Sequence, residues 1–326
     1  MKKFLKFLAI LLGVIILAVA GLATYVKTAL PNVGPPPDLK VELTPERIKR
    51  GEYLAHHVTL CMDCHSRRDF SLFSGPLVPG TLGEGGEAFT PAQGFPGNFY
   101  ARNISPSHLK DWTDGEIFRA ITSGVNKDNK PIFSIMPWQN YGGMDPEDIK
   151  DIIAYIRSIP SQPNDPPKSE PAFPMNFILN TIPKKGEGGK RPDPSDVIAY
   201  GKYYTMASGC NVCHTRHEKG QMVGEPFAGG FEFGFPDGSA VISPNITPDT
   251  ETGIGSWNEE TFLTKFKQYA DSNYHPTPLK PGQMQTVMPW TMYAYKDSAE
   301  LKAIYAYLKT LKPVKNQVVK WKPKTS

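Results

Sequence analysis

All four cysteines of the chain fall in two copies of one pentapeptide, Cys61-Met62-Asp63-Cys64-His65 and Cys210-Asn211-Val212-Cys213-His214. Two thiols with a two-residue gap, followed at once by an imidazole, are what attachment of a c-type haem needs. The gap lets both sulfurs reach one edge of the macrocycle, and the next residue then falls beneath the iron. Cys61, Cys64, Cys210 and Cys213 are therefore the expected anchors of two covalently bound haem c groups, and His65 and His214 the expected fifth iron ligands. A lone Cys-x-x-Cys also suits half a zinc site or a dithiol redox pair. Against both, each copy carries His at the same place and each is followed by a long segment ending in Met-Pro-Trp.

That tripeptide supplies the expected sixth ligands, Met136 and Met288. Met136 lies 75 residues after Cys61 and Met288 lies 78 after Cys210. The following proline removes a backbone donor and fixes the local chain, which helps aim a thioether. Methionine also fills gaps in apolar cores, so Met144 in the first half, and Met284 and Met292 in the second, are competitors. Among the other histidines, His56 and His57 precede the first motif, His108 sits in a loop and His217 follows the second motif. His275, in a loop of the second half, is the best substitute ligand. Trp112, Trp138, Trp257 and Trp290 are expected to line the haem crevices, as indole donors to propionates or as plain core.

The elements that must position these residues occur twice. Met136-Pro137-Trp138 and Met288-Pro289-Trp290 are 152 positions apart, and at that offset Ala154-Tyr155-Ile156-Arg157 matches Ala306-Tyr307-Leu308-Lys309. Gly51-Glu52-Tyr53 matches Gly201-Lys202-Tyr203 at 150, and Asn103-Ile104-Ser105-Pro106 matches Asn245-Ile246-Thr247-Pro248 at 142. The changing offset means loop insertions between shared elements. The patterns predict a helix from Thr44 or Pro45 to the first motif, with Pro194 or Ser195 opening its partner. A middle helix starts near Thr113, which has capping-box spacing to Glu116; Trp257 and Asn258 open its partner. Last helices run over Pro146 to Ser158 and Ala299 to Leu311. Ile149, Ile152, Ile153 and Ile156 make one apolar face.

The arrangement resembles the class I cytochrome c family, in which an N-terminal helix with a Gly and an aromatic residue crosses a C-terminal helix with an aromatic residue. Gly51, Tyr53 and Tyr155 match, as do Gly201, Tyr203 and Tyr307. The resemblance places the axial Met in the loop before the last helix, where Met136 and Met288 lie. The Asn-Ile-[Ser/Thr]-Pro loop, the Trp-led helix and the Met-Pro segment look more narrowly like the cytochrome c subunits of membrane-bound alcohol and gluconate dehydrogenases. The resemblance covers roughly residues 45–160 and 195–312. Those subunits typically carry three haem motifs, whereas this chain has two.

The expected fold is all-α: two tandem class I cytochrome c-like domains, rich in loops, after an N-terminal transmembrane helix. Lys2, Lys3 and Lys6 precede an uncharged run from Phe7 to Val26, long enough to span a bilayer. The basic flank predicts a cytoplasmic N-terminus and haem domains on the periplasmic side of the cell membrane. Ala18-Val19-Ala20 also resembles a signal-peptide cleavage site. The expected divisions are 1–30 anchor or signal segment, 31–44 spacer, 45–160 first domain, 161–194 proline-rich linker, 195–315 second domain and 316–326 tail. Within the linker, Phe173 to Ile182 is apolar and is expected to pack against a domain. The net charge of +4 is spread over dispersed Lys and Arg, which gives no footprint for nucleic acid.

His/Met ligation fills both axial positions and leaves no place for a substrate, so electron transfer is the leading expectation. The chain would pass electrons between a dehydrogenase or quinol-oxidising complex and a terminal oxidase or reductase, without turnover of its own. The alternative is a haem enzyme, a di-haem peroxidase or thiosulfate-oxidising cytochrome, with one open or labile axial site.

Overall fold

The protein is described as a computed structural model covering residues 1–218, 221–280 and 282–324, so the last two residues of the expected tail lie outside it. Helix α1 (Lys2–Thr28) has a mean hydropathy of 2.7 and none of its apolar window is buried. This N-terminal apolar helix is long enough to cross a bilayer.

Helix α2 (Pro45–Tyr53) opens at Thr44, whose side chain accepts from the Arg47 N–H. It runs on as a wider turn, Leu54–Val58, closed by the Thr59 N–H on the Leu54 carbonyl at 2.8 Å. Such widened turns are common next to functional sites, and this one delivers the chain to the first cysteine motif. Helix α3 (Asp114–Ser123) carries the expected capping box between Thr113 and Glu116. Helix α4 (Pro146–Ser158) is N-capped by Asp145. In the second half the counterparts are α5 (Val197–Ala207), α6 (Glu259–Lys267, capped by Asn258) and α7 (Ser298–Lys309).

Helices α2 and α4 cross at Gly51, where a Cβ would stand 1.8 Å from the Asp151 carbonyl oxygen. Helices α5 and α7 cross at Gly201, 1.9 Å from that of Ala303. Ile149, Ile152, Ile153 and Ile156 are all buried, as their spacing requires. One apolar cluster runs through both halves, from Leu54 and Ile149 to Tyr204 and Leu301.

Helices are the main regular structure, but the molecule is not all-α, because strands are also present. Among the described residues β1 (Ala88–Phe89), β2 (Gly97–Tyr100) and β3 (Glu170–Pro171) form one antiparallel sheet, and β4 (His217–Glu218) pairs with β5 (Gln221–Met222). Strands β6 (Glu232–Gly234), β7 (Ala240–Ile242) and β8 (Trp321–Lys322) form a third. These strands are too short to show a period of two in sequence. They form because inserted loops must pair their backbone groups. Strand β3 comes from the expected linker and β8 from the expected tail, so both segments are tied down.

The halves meet through a reciprocal pair of tyrosines. Tyr53 donates its hydroxyl to Glu300 at 2.5 Å and accepts from the Asp297 N–H at 2.8 Å. Tyr203 donates to Asp148 at 2.7 Å and accepts from the Asp145 N–H at 3.1 Å. Asp145 and Asp148 correspond to Asp297 and Glu300 in the repeat, so the contact has the self-complementary form of a two-fold dimer interface. Both tyrosines thus reach across to the other half, whereas the sequence resemblance placed them at the helix crossing within their own. Asp148 also receives Arg50 and Arg191.

Lys296 breaks this symmetry. It occupies the position of Met144, is almost wholly buried, and donates to the Ser208 hydroxyl at 2.8 Å. Burial pushes its ammonium down to about 8, with Glu300 acting against the shift. The folded protein therefore binds this proton less readily than the unfolded chain. The cost is full below about pH 8 and fades as pH rises towards the ordinary value of 10.5. Lys296→Met should raise the unfolding free energy at pH 7 by about 3 kcal/mol, with a smaller gain at pH 10. Urea unfolding at the two pH values checks this; an equal or larger gain at pH 10 contradicts it.

Candidate haem sites

Each cysteine motif is a single helical turn, Cys61–Cys64 or Cys210–Cys213, entered through a left-handed residue. That residue is Leu60 (φ 54°) in the first copy and Gly209 (φ 64°) in the second. All four thiols are unbridged. Burial pushes the Cys61 and Cys64 thiols up, Cys210 up to about 11 and Cys213 up to about 12. Cys213 is nonetheless exposed by area.

Both motif histidines are oriented in the same way. The His65 Nδ1–H donates to the Arg102 carbonyl at 2.6 Å, and the His214 Nδ1–H donates to the Pro244 carbonyl at 2.8 Å. A carbonyl only accepts, so Nδ1 carries the proton and Nε2 keeps the lone pair a metal needs. Burial lowers both imidazole pKa values and favours this neutral form.

The accepting carbonyls belong to residues just before Asn103 and Asn245. The buried Asn103 Oδ1 accepts from the Ser105 N–H and hydroxyl, while its Nδ2 donates to the Gln162 and Asn164 carbonyls. Asn245 repeats this, accepting twice from Thr247 and donating to the Val314 carbonyl and the Thr252 hydroxyl. The repeated Asn-Ile-[Ser/Thr]-Pro loop is thus a turn stapled to the chain that leaves the last helix. Asn245→Ala leaves several buried groups without partners and should cost about 3 kcal/mol in a denaturant titration. Asn245→Asp, which keeps the acceptor, should cost less, and equal losses would contradict the account.

The two Met-Pro-Trp segments share one backbone turn. The Trp138 N–H reaches the Met136 carbonyl at 2.8 Å, and the Trp290 N–H reaches the Met288 carbonyl at 2.9 Å. Met136 and Met288 are both half-buried. Sequence reasoning missed Tyr141 and Tyr293, which tie these loops to the motifs. Tyr141 donates to the Thr59 carbonyl at 2.7 Å, and Tyr293 to the Ser208 carbonyl at 2.6 Å, two residues before each first cysteine. Reading on three residues to Met-Pro-Trp-x-x-Tyr would have found them.

The remaining candidates fall elsewhere. Met144 and Met292 are core residues, and Met284 is exposed. His56 bonds the Tyr155 hydroxyl, His57 the Met292 carbonyl and His217 the Val212 carbonyl. His108 lies near Asp165, and His275 is exposed in its loop. Trp138 spends its indole N–H on the Ile132 carbonyl, whereas Trp290 stacks on Tyr269; Trp112 and Trp257 are half-buried. Among the described residues no three His, Cys, Asp or Glu side chains converge as a metal-binding group, as a zinc site would require.

Residues 198–312, which include the second motif and its Met-Pro-Trp loop, match the family model described as cytochrome c. The chain carries a cytochrome c domain. Such a domain holds a covalently bound haem c, and the residues present fit one: unbridged thiols at Cys210 and Cys213, and an imidazole whose Nε2 is left free.

Relatives extend the match beyond that domain. The chain is 26% identical over 285 residues to the cytochrome c subunit of a quinone alcohol dehydrogenase from Gluconacetobacter polyoxogenes, covering 82% of this chain and 56% of the relative. It is 26% identical over 283 residues to the cytochrome c subunit of gluconate 2-dehydrogenase from Pantoea cypripedii, covering 81% and 59%. A diheme cytochrome c-type protein from Cereibacter sphaeroides is 26% identical over 266 residues, covering 76% and 81%. The chain spans little more than half the length of the dehydrogenase subunits. The two dehydrogenase relatives are named as cytochrome c subunits of their enzymes.

Proposed function

We propose that the chain is a membrane-anchored di-haem c-type cytochrome that relays electrons between a dehydrogenase or quinol-oxidising complex and an acceptor such as a terminal oxidase. The two haems sit in tandem domains, residues 45–160 and 195–315. Cys61, Cys64, His65 and Met136 hold one, and Cys210, Cys213, His214 and Met288 hold the other. Helix α1 crosses the cell membrane once and leaves both domains on the periplasmic side. The observation that carries this reading is the repeated histidine anchor: both motif imidazoles donate through Nδ1 to a carbonyl just before an Asn-Ile-[Ser/Thr]-Pro turn.

The bound group supplies reversible one-electron chemistry at its iron. The chain's part is to orient the ligands and fix the two sites relative to each other. Each ligand loop is braced by the opposite half, which supports electron exchange between the domains. The Ser74 hydroxyl, in the loop after the first motif, donates to the Met288 carbonyl at 2.6 Å and accepts from the Trp290 N–H at 3.0 Å. Asn140, four residues after Met136, donates to the Asn211 side chain inside the second motif at 2.8 Å. The nearly buried Arg68, paired with Asp63 of the first motif, donates across to the Val287 carbonyl at 3.4 Å, and the Phe73 N–H reaches the Thr277 carbonyl at 2.8 Å.

A haem-to-polypeptide ratio measured by pyridine haemochrome assay tests the reading. Two haems per chain are expected, falling to one in either Cys61→Ala/Cys64→Ala or Cys210→Ala/Cys213→Ala. One haem in the unaltered protein would sink it.

A further inference from the structure

We infer that residues 172–182 form a foot that seats the first domain on the surface of the lipid bilayer; this rests on the membrane reading of α1. The segment Ala-Phe-Pro-Met-Asn-Phe-Ile-Leu-Asn-Thr-Ile has no charged residue. It folds as one helical turn, Met175–Ile178, and one tighter turn, Leu179–Thr181. Its inward side chains, Met175 and Leu179, are buried with Phe99. Its outward side chains are mostly apolar too: Phe173 is 81% and Ile178 41% exposed, with Thr181 the exposed polar exception. A short surface helix facing only water carries polar residues on its outer face.

Its position says what covers that face. Both turns pack against α1, and the Lys27 ammonium lies 4.6 Å from the centre of the Phe177 ring. Helix α1 has 27 residues, so at the usual rise it is about 40 Å long, longer than the ~30 Å hydrocarbon layer. Its last turn, with Tyr25 and Lys27, carries the aromatic and basic residues that favour the membrane–water interface. The foot is therefore held at headgroup depth. Lys184 and Lys185 follow it and are exposed, where anionic headgroups attract them.

The same small core includes Phe133, stacked on Phe99 at 3.9 Å and three residues before Met136. The foot and the ligand loop of the first domain thus share one packing unit, which puts that domain, of the two, against the membrane.

The test uses the full holoprotein in vesicles of phosphatidylethanolamine and phosphatidylglycerol, where haem attachment has consumed the native thiols. Single cysteines are placed by Phe173→Cys, Ile178→Cys, Leu12→Cys in α1, and Val319→Cys, a residue 73% exposed in the C-terminal tail. Each is timed against a charged, water-soluble maleimide, with the haem spectrum reporting that the variant is folded. The cysteines at 173 and 178 should react more than about tenfold more slowly than that at 319, because a charged reagent is excluded from an apolar interface. If 173 and 178 react as fast as 319 while 12 stays protected, the foot is wrong and the anchor stands. If 12 itself reacts freely, the membrane reading fails and the foot with it.

Discussion

Gly201→Ala is expected to destabilise the cytochrome c domain by at least about 3 kcal/mol, a large share of the stability of a domain of this size. The added Cβ would lie 1.9 Å from the Ala303 carbonyl oxygen and 3.0 Å from the Tyr307 Cβ. Neither neighbour can yield by turning a side chain: the carbonyl is backbone, and a Cβ is fixed to it. Helices α5 and α7 would have to separate, and the contact that closes the domain would open along its length. Gly51→Ala should act alike in the first half, where the Asp151 carbonyl stands 1.8 Å away. The control is Gly209→Ala. That glycine has φ 64° and open space where a Cβ would go, so only backbone strain of about 1–2 kcal/mol is expected. Denaturant unfolding of the three holoprotein variants gives the ranking. A loss at Gly201 no larger than at Gly209 would refute the crossing as the closing contact.

These glycines were legible in sequence because they recur at one offset, each two residues before a tyrosine. The cysteine motifs and the Met-Pro-Trp loops also recur at similar offsets, 149 and 152, so their pairing needs no distant partner to be read. The helices were legible too, since Thr113, Asp145 and the isoleucines of α4 act within a few residues of themselves. What escaped reading depends on distant partners. Tyr53 and Tyr203 fit the pattern of a helix crossing, but their hydroxyls end on Glu300 and Asp148 in the other half of the chain. The exchange of Met144 for Lys296 was visible in the alignment of the halves, yet nothing local says that the lysine is buried. Strands β3 and β8 pair with residues far away in sequence, and two-residue strands carry no pattern.

Met288→Ala should remove about half of the weak far-red absorption that marks methionine sulfur on ferric haem, and Met136→Ala the other half. The substitutions are clean because the loops do not depend on the thioethers. The bonds from Ser74 use the Met288 carbonyl and the Trp290 N–H, backbone groups that alanine leaves in place. In the first half the Trp138 N–H still closes on the carbonyl of residue 136, and Asn140 still reaches Asn211. His275 is the nearest histidine that sequence offers as a replacement, but its loop is pinned at Thr277 and Leu279 to Phe73 and Ser71 of the first half. Each variant should therefore lose a ligand without gaining one, and its reduced form should bind about one equivalent of carbon monoxide per chain where the unaltered protein binds none. Full far-red intensity in either variant would remove that methionine from the ligand set. Carbon monoxide binding by the unaltered protein would mean an open or labile iron, and the haem-enzyme reading would then take precedence over the electron relay.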